Sequence, residues 1–158
     1  TVYLAIWPSF RTAAYLEWRS LSSLKPAMMD LSTPCLRLTL DAHALIEQWI
    51  GQPDAPDHVL ADLLSRFAPG FTMVTTDGQP LAANALPALF AGLRGARPGL
   101  KIDIDEMTVR HADTASVLLS YRERHAWTTG ATQRRATVLF TGGADGLPQW
   151  AHLHETWA

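Results

Sequence analysis

The chain has 158 residues, 47% of them hydrophobic and 18% charged, with a net charge of −2. That length suits one domain with a real core, and the balance lacks the clustered basic surplus of a nucleic-acid binder. Cys35 stands alone, which excludes an intrachain disulfide and a thiolate metal centre and fits a reducing, cytoplasmic setting; no apolar run approaches a membrane span.

Residues 1–27 differ from the rest of the chain, being rich in Ser, Arg and aromatics with Glu17 the lone acid. We read them as an extension ahead of a start at Met28 or Met29. Two other readings are an arm that docks through Ala14, Trp18 and Leu21 on one helical side, and an acid-poor transit peptide. Residues 28–158 then form the domain. In it Leu38, Leu45, Ile46, Trp49 and Ile50 recur at helical spacing, with Asp41 near the start and Gly51 then Pro53 as the stop. A second stripe of Val59, Leu60, Leu63, Leu64 and Phe67 ends at Pro69-Gly70. Phe71 to Leu81 reads as a hairpin around Asp77-Gly78, and Pro80 marks its second arm as an edge. The third helix has Asn84 as N-cap, Pro87 in its first turn and Gly95 as its stop. Its buried side is Leu86, Leu89, Phe90 and Leu93.

The remainder is strand, so helices first and strands after describe an α+β domain. Leu100, Ile102 and Ile104 alternate with polar residues, and after Glu106 the phase slips to Met107 and Val109. Strand side chains alternate faces, so a slip implies a β-bulge, which bends the sheet. Ala115 to Trp127 and Thr132 to Thr141 follow, then a glycine-rich turn into Gln149–Trp157. A two-residue turn at Thr129-Gly130 would set Tyr121 against Val138, Glu123 against Ala136 and His125 against Arg134. One face is then apolar at its far end (Val117, Leu119, Val138, Phe140) and polar near the turn (Tyr121, Glu123, His125, Arg134). The last strand has two registers. Either Trp150, His152, His154 and Thr156 share the face of Phe140, or Ala151, Leu153, Glu155 and Trp157 do.

Phe71-Thr72 with Asp77-Gly78, then Ser120-Tyr121-Arg122, Thr137-Val138-Leu139-Phe140 and the closing Trp150-Ala151-His152-Leu153-His154-Glu155-Thr156 are similar to the nuclear transport factor 2-like superfamily. These segments also resemble its SnoaL-like and calcium/calmodulin-dependent kinase association-domain members. The resemblance covers roughly residues 38–158. It implies a cystatin-like cone, a curved antiparallel sheet wrapped around three helices over a cavity, with a homodimer through the sheet's outer face. The superfamily holds isomerases, dehydratases, cyclases and proteins without chemistry, so fold alone assigns no function. Its enzymes' catalytic carboxylates have no position in this sequence that matches residue by residue.

Tyr121, Glu123, His125 and Arg134 form the candidate constellation. Glu123 would be the general base, Tyr121 or His125 would donate to an oxyanion, and Arg134 would hold an anionic group. The competing reading is an exposed salt-bridge ladder at a hairpin end, worth little. Phe140, Trp150, His152 and His154 complete the expected ligand wall. His152 and His154 project from one strand face and, with His125 or Glu123, would make a metal site, yet no ligand set has diagnostic spacing, so we assign no metal and no cofactor. His43, His58 and His111 receive no role, and Asp103, Asp105 and Glu106 read as solvated. Two functions fit: a domain that binds a small, partly apolar ligand, or a SnoaL-like acid/base enzyme acting on a small carbonyl compound. The second fails if Glu123, His125 and Arg134 are exposed.

Overall fold

The computed structural model describes residues 31–158, so the readings of residues 1–27 and of a start at Met28 or Met29 fall outside it. Helix α1 spans Ser32–Gly51 and buries Cys35, Thr39, Ala42, His43, Leu45, Trp49 and Ile50. It begins well before Asp41, which sits mid-helix beside Arg37 at 3.4 Å, because Pro34 is tolerated in a first turn. Its last carbonyls would be unsatisfied. The segment before β3 (Lys101–Ala112) caps them, with Gly95 N donating to Trp49 O (3.0 Å), Arg97 N to Ile50 O (3.0 Å) and Gly99 N to Gly51 O (3.3 Å). Gly95 does this at φ +65°, where a Cβ would lie 2.5 Å from Pro53 Cα, so only glycine fits.

Helix α2 spans Asp57–Leu64 and stops short of Phe67, which opens strand β1 (Phe67–Val74). The following Pro69-Gly70 pulls the chain toward extended backbone, and Phe67 meets Phe71 edge-on, ring centroids 4.7 Å apart. The predicted hairpin forms: Thr72, Met73 and Val74 pair with Ala82, Leu81 and Pro80 of β2 (Pro80–Ala82), the edge strand, through Gly78 at φ 75°. A 3-10 turn, Ala83–Ala85, takes in Asn84 and leads to α3, Leu86–Ala91. Leu86 and Phe90 are buried as expected, but Leu89 is 39% exposed, since so short a helix covers only one narrow stripe.

Strands β4 (Ser116–Trp127), β5 (Gly130–Gly142) and β6 (Pro148–Trp157) complete a six-stranded curved sheet in the order β2-β1-β6-β5-β4-β3. It is mixed rather than wholly antiparallel, because β1 runs parallel to β6. The slip after Glu106 is a bulge: Asp105 pairs with Arg122, the next partners are Thr108 and Ser120, and Glu106 has φ 51°.

The β4–β5 register differs from the sequence reading by two residues. Trp127 pairs with Gly130, so the turn is Thr128-Thr129; Glu123 faces Arg134, Tyr121 faces Ala136 and His125 faces Thr132. Thr128 anchors that turn by donating its hydroxyl to Pro98 O at 2.8 Å. The Trp127 ring covers Gly130, where a Cβ would lie 2.7 Å from Cζ2. A two-residue slip keeps every side chain on its own face, and Val117, Leu119, Tyr121, Glu123, His125, Ala136, Val138 and Phe140 are all buried inward.

Both alternatives for β6 are right in part. Phe140 pairs with Trp150 and Leu139 with His152, leaving Ala151 as a bulge. Trp150 therefore lies inside together with Leu153 and Glu155, while His152 and His154 are left less buried on the other face.

Candidate functional site

The inner face of β4 carries Glu123 at 2% exposure and His125 at 4%, with His43 of α1 above them at 5%. The Glu123 carboxylate is clasped on several sides. His43 Nε2 lies 3.1 Å from Oε1, His125 Nε2 2.8 Å from Oε2, and Arg134 Nε 3.8 Å from Oε2. Arg134 reaches on to Glu155 of β6 through Nη1 at 3.3 Å. The cross-strand pairing Glu123–Arg134 and the line Ala136–Glu155 put these groups side by side.

Protonation follows from partner chemistry. His43 Nδ1 lies 2.7 Å from Thr39 O, which only accepts, so Nδ1 carries a hydrogen. Nε2 lies 3.1 Å from Glu123 Oε1, a carboxylate charge that favours the protonated ring. Burial opposes charge on the ring, and the Glu123 carboxylate outweighs it, raising the pKa above 6.5. His125 is the opposite case: Nε2 donates to Glu123 and Nδ1 accepts from Arg97 Nη1 at 3.5 Å. Burial, aided by Arg134 and against its bond to Glu123, lowers its pKa and keeps it neutral.

The two carboxylates part ways. Burial alone would raise Glu123, yet His43, His125 and Arg134 hold it far below the usual carboxylate range. Glu155 is pushed up to about 7, first by burial and then by the Glu123 charge, with Arg134 only partly offsetting them. Tyr121 is raised well above 10, by burial and the same two carboxylates. Buried Tyr121 Oη and Trp150 Nε1 find no partner of good geometry among the described residues. Both rings border His43, at centroid distances of 5.5 and 6.0 Å.

The structure thus brings Tyr121, Glu123, His125 and Arg134 together, buried rather than at an exposed hairpin end. Phe140 and Trp150 meet edge-on at 5.1 Å on the same inner face. His152 and His154 are not brought to them: His152 Nδ1 bonds Thr72 Oγ1 at 2.8 Å and His154 is exposed, so neither shares a metal ion with His125 or Glu123. Among the described residues no group of three potential metal ligands assembles. Sequence pattern alone assigns no site role to His43 or Glu155. His43 was legible as a polar member of the stripe Cys35, Thr39, Ala42, His43, Ile46, and Glu155 as an acid alternating with Leu153.

A groove of about 500 Å³ lies between α1 and β3, lined by Leu40, His43, Glu47, Lys101, Ile102 and Ile104 among others, with His43 the member of the cluster that reaches its wall. Ile102 and Ile104 pair with His125 and Glu123, so the apolar floor adjoins the charged site. Glu47 holds its rim, accepting from Ile102 N at 2.8 Å and from Lys101 Nζ at 2.7 Å.

A mixed cone sheet over three helices defines the class, and comparison with solved structures makes it specific. A nuclear transport factor 2-like protein of unknown function from Pseudomonas aeruginosa is 34% identical, with a TM-score of 0.74, over 79% of this chain and 98% of that one. The chain belongs to the nuclear transport factor 2-like family. Two more distant structures share the fold. The association domain of the calcium/calmodulin-dependent kinase II of C. elegans is 11% identical with a TM-score of 0.61, over 77% of this chain and 92% of that one. A ketosteroid isomerase-like protein from Parabacteroides distasonis is 12% identical with a TM-score of 0.58, over 79% and 87%. No protein-family model and no curated protein matches the chain. Among the described residues no helix is long and apolar enough to cross a membrane.

Proposed function

We propose that this domain binds a small, partly apolar molecule inside its cone and pairs with a second copy through the outer face of the sheet. The observation that carries the ligand reading is the buried Glu123 cluster beside a groove of mixed lining, apolar at Leu40, Ile102 and Ile104 and charged at Glu47 and Lys101. Burying that many charges costs several kcal/mol per ion before pairing, and a fold that needed only a core would gain from apolar residues there. The pairing reading draws on the outer surface of β3–β5, where Arg122, Arg124 and Arg135 meet Asp105 and Glu106. The lone buried Cys35 suits a cytoplasmic setting. A thermal-shift screen with small carboxylates, sterols and polyketide-like aromatics tests the first part, since a ligand of the folded form alone raises the melting temperature. Light scattering tests the second, a monomer at all concentrations removing it.

One observation favours an acid/base enzyme as the second reading: adjacent carboxylates whose pKa values are driven apart, which is how sites separate acid from base roles. Glu123, held ionised by three partners, is a poor proton acceptor. Glu155, titrating near neutrality, has the better pKa for that work, with Tyr121 as the oxyanion donor. Proton–deuterium exchange on an enolisable ketone, present in the wild type and lost in Glu155→Gln, supports this reading; equal exchange in both rejects it.

A further inference from the structure

Near the β4–β5 turn two guanidinium groups stand on either side of His125. Arg97 lies 3.5 Å from its Nδ1, and Arg134 reaches the Glu123 oxygen that its Nε2 also bonds. Each is propped on an indole: Arg97 lies over Trp127 at 4.6 Å and Arg134 over Trp157 at 5.4 Å. The Arg97 backbone is fixed as well, its N–H capping Ile50 O of α1. Like charges so placed repel, and Arg134 adds to burial in lowering the pKa of Arg97.

Arg97 has no carboxylate at ion-pair distance among the described residues. Buried Arg134 Nε and Thr132 Oγ1 lack hydrogen-bond partners, and Thr132 is the residue opposite His125. The charges of the whole cluster also fail to cancel. Arg97 and Arg134 are cationic and the setting of His43 favours its charged form, while Glu123 is anionic and Glu155, pushed up to about 7, only partly so at neutral pH. Two pre-positioned guanidiniums, a hydroxyl and a surplus of positive charge are the parts of an anion site, and the flat guanidinium fork matches a carboxylate.

We propose that Arg97, Arg134 and Thr132 near the β4–β5 turn bind the carboxylate of a small organic acid whose apolar part contacts the flanking Trp127 and Trp157 rings. This rests on the ligand-binding reading and names its ligand class. Arg97 and Arg134 supply the charge, Thr132 donates one hydrogen bond, and the ligand relieves the repulsion between the two cations.

The test is calorimetry and tryptophan fluorescence with benzoate, its neutral relative benzamide, and inorganic phosphate. Benzoate is expected to bind and change the indole emission, benzamide not to bind, and phosphate to bind no better than chloride. Arg97→Gln removes a side chain paired with no carboxylate, so the fold survives it, and it should weaken benzoate by about tenfold or more. Thr132→Val should weaken it less. Benzoate binding unchanged in Arg97→Gln overturns the site. Benzamide bound as tightly as benzoate also overturns it, yet leaves the ligand-binding reading standing. Phosphate preferred over benzoate overturns the carboxylate assignment. Silence from all three probes beside a positive thermal shift with a neutral aromatic removes the anion site alone.

Discussion

The two faces of the β3–β5 sheet carry the same chemistry to different ends. Outside, Arg122 grips Asp105 with two hydrogen bonds of 2.8 Å, Arg124 joins it and Arg135 pairs with Glu106, with both acids about a third exposed or more. Inside, Glu123 has comparable partners at comparable distances with its side chain 3% exposed. Water screens the first network and makes each bond nearly dispensable. Without that screening the second becomes obligatory, because removing one member strands the others. Position relative to solvent, more than the pairs themselves, separates a decorated surface from a candidate site.

The comparison breaks most directly at Glu123. Glu123→Ala leaves His43 and Arg134 short of a counter-charge, so urea unfolding should show a loss of about 3–5 kcal/mol. A loss below about 1 kcal/mol would mean that the inner network behaves like the outer one.

The next effect is that of pH. Folded Glu155 keeps its proton up to about 7, whereas an unfolded glutamate releases it at 4.5. Between those values the folded state binds more protons, and stability falls as pH rises. His43 acts in the same sense, its contribution being complete below 6.5 and lost as pH climbs through its raised folded value. Glu123 acts oppositely: its contribution is present above 4.5 and lost as pH falls below that toward its depressed folded value. The melting temperature should therefore decline from mildly acid to mildly alkaline buffer, and Glu155→Gln should flatten that decline. An unchanged slope in the variant would remove Glu155 from the cluster.

A smaller loss, about 1–3 kcal/mol, is expected of Gly130→Ala, since the new methyl meets the Trp127 ring that sets the β4–β5 register. Smallest is Asp105→Asn, whose melting curve should overlay the wild type. A clear drop in stability there, without a change in oligomeric state, would erase the contrast between the faces.

Much of this was legible in the residues and some was not. Parity assigned Tyr121, Glu123, His125 and Arg134 to one wall, and that survived an error in the turn because the slip was two residues rather than one. The Glu106 bulge was readable from the phase change alone. The parallel β1–β6 pair was not, because β1 begins where a helical stripe continues through Phe67, and only tertiary pairing shows otherwise. His43 was missed because a lone imidazole on a helix looks solvated until a carboxylate from a distant strand meets it. Glu155 was missed because the β6 register hung on one unpaired residue.

That residue, Ala151, lets a single strand serve two masters. Without the extra step, the strand would show the interior either its indole or its acid, never both. Pairing Ala151 in regular register would turn His154 inward opposite Ala136, where Glu155 now stands, and trade an acid for a base. The charge balance of the interior is therefore set by the skipped residue at that kink as much as by the side chains that line it.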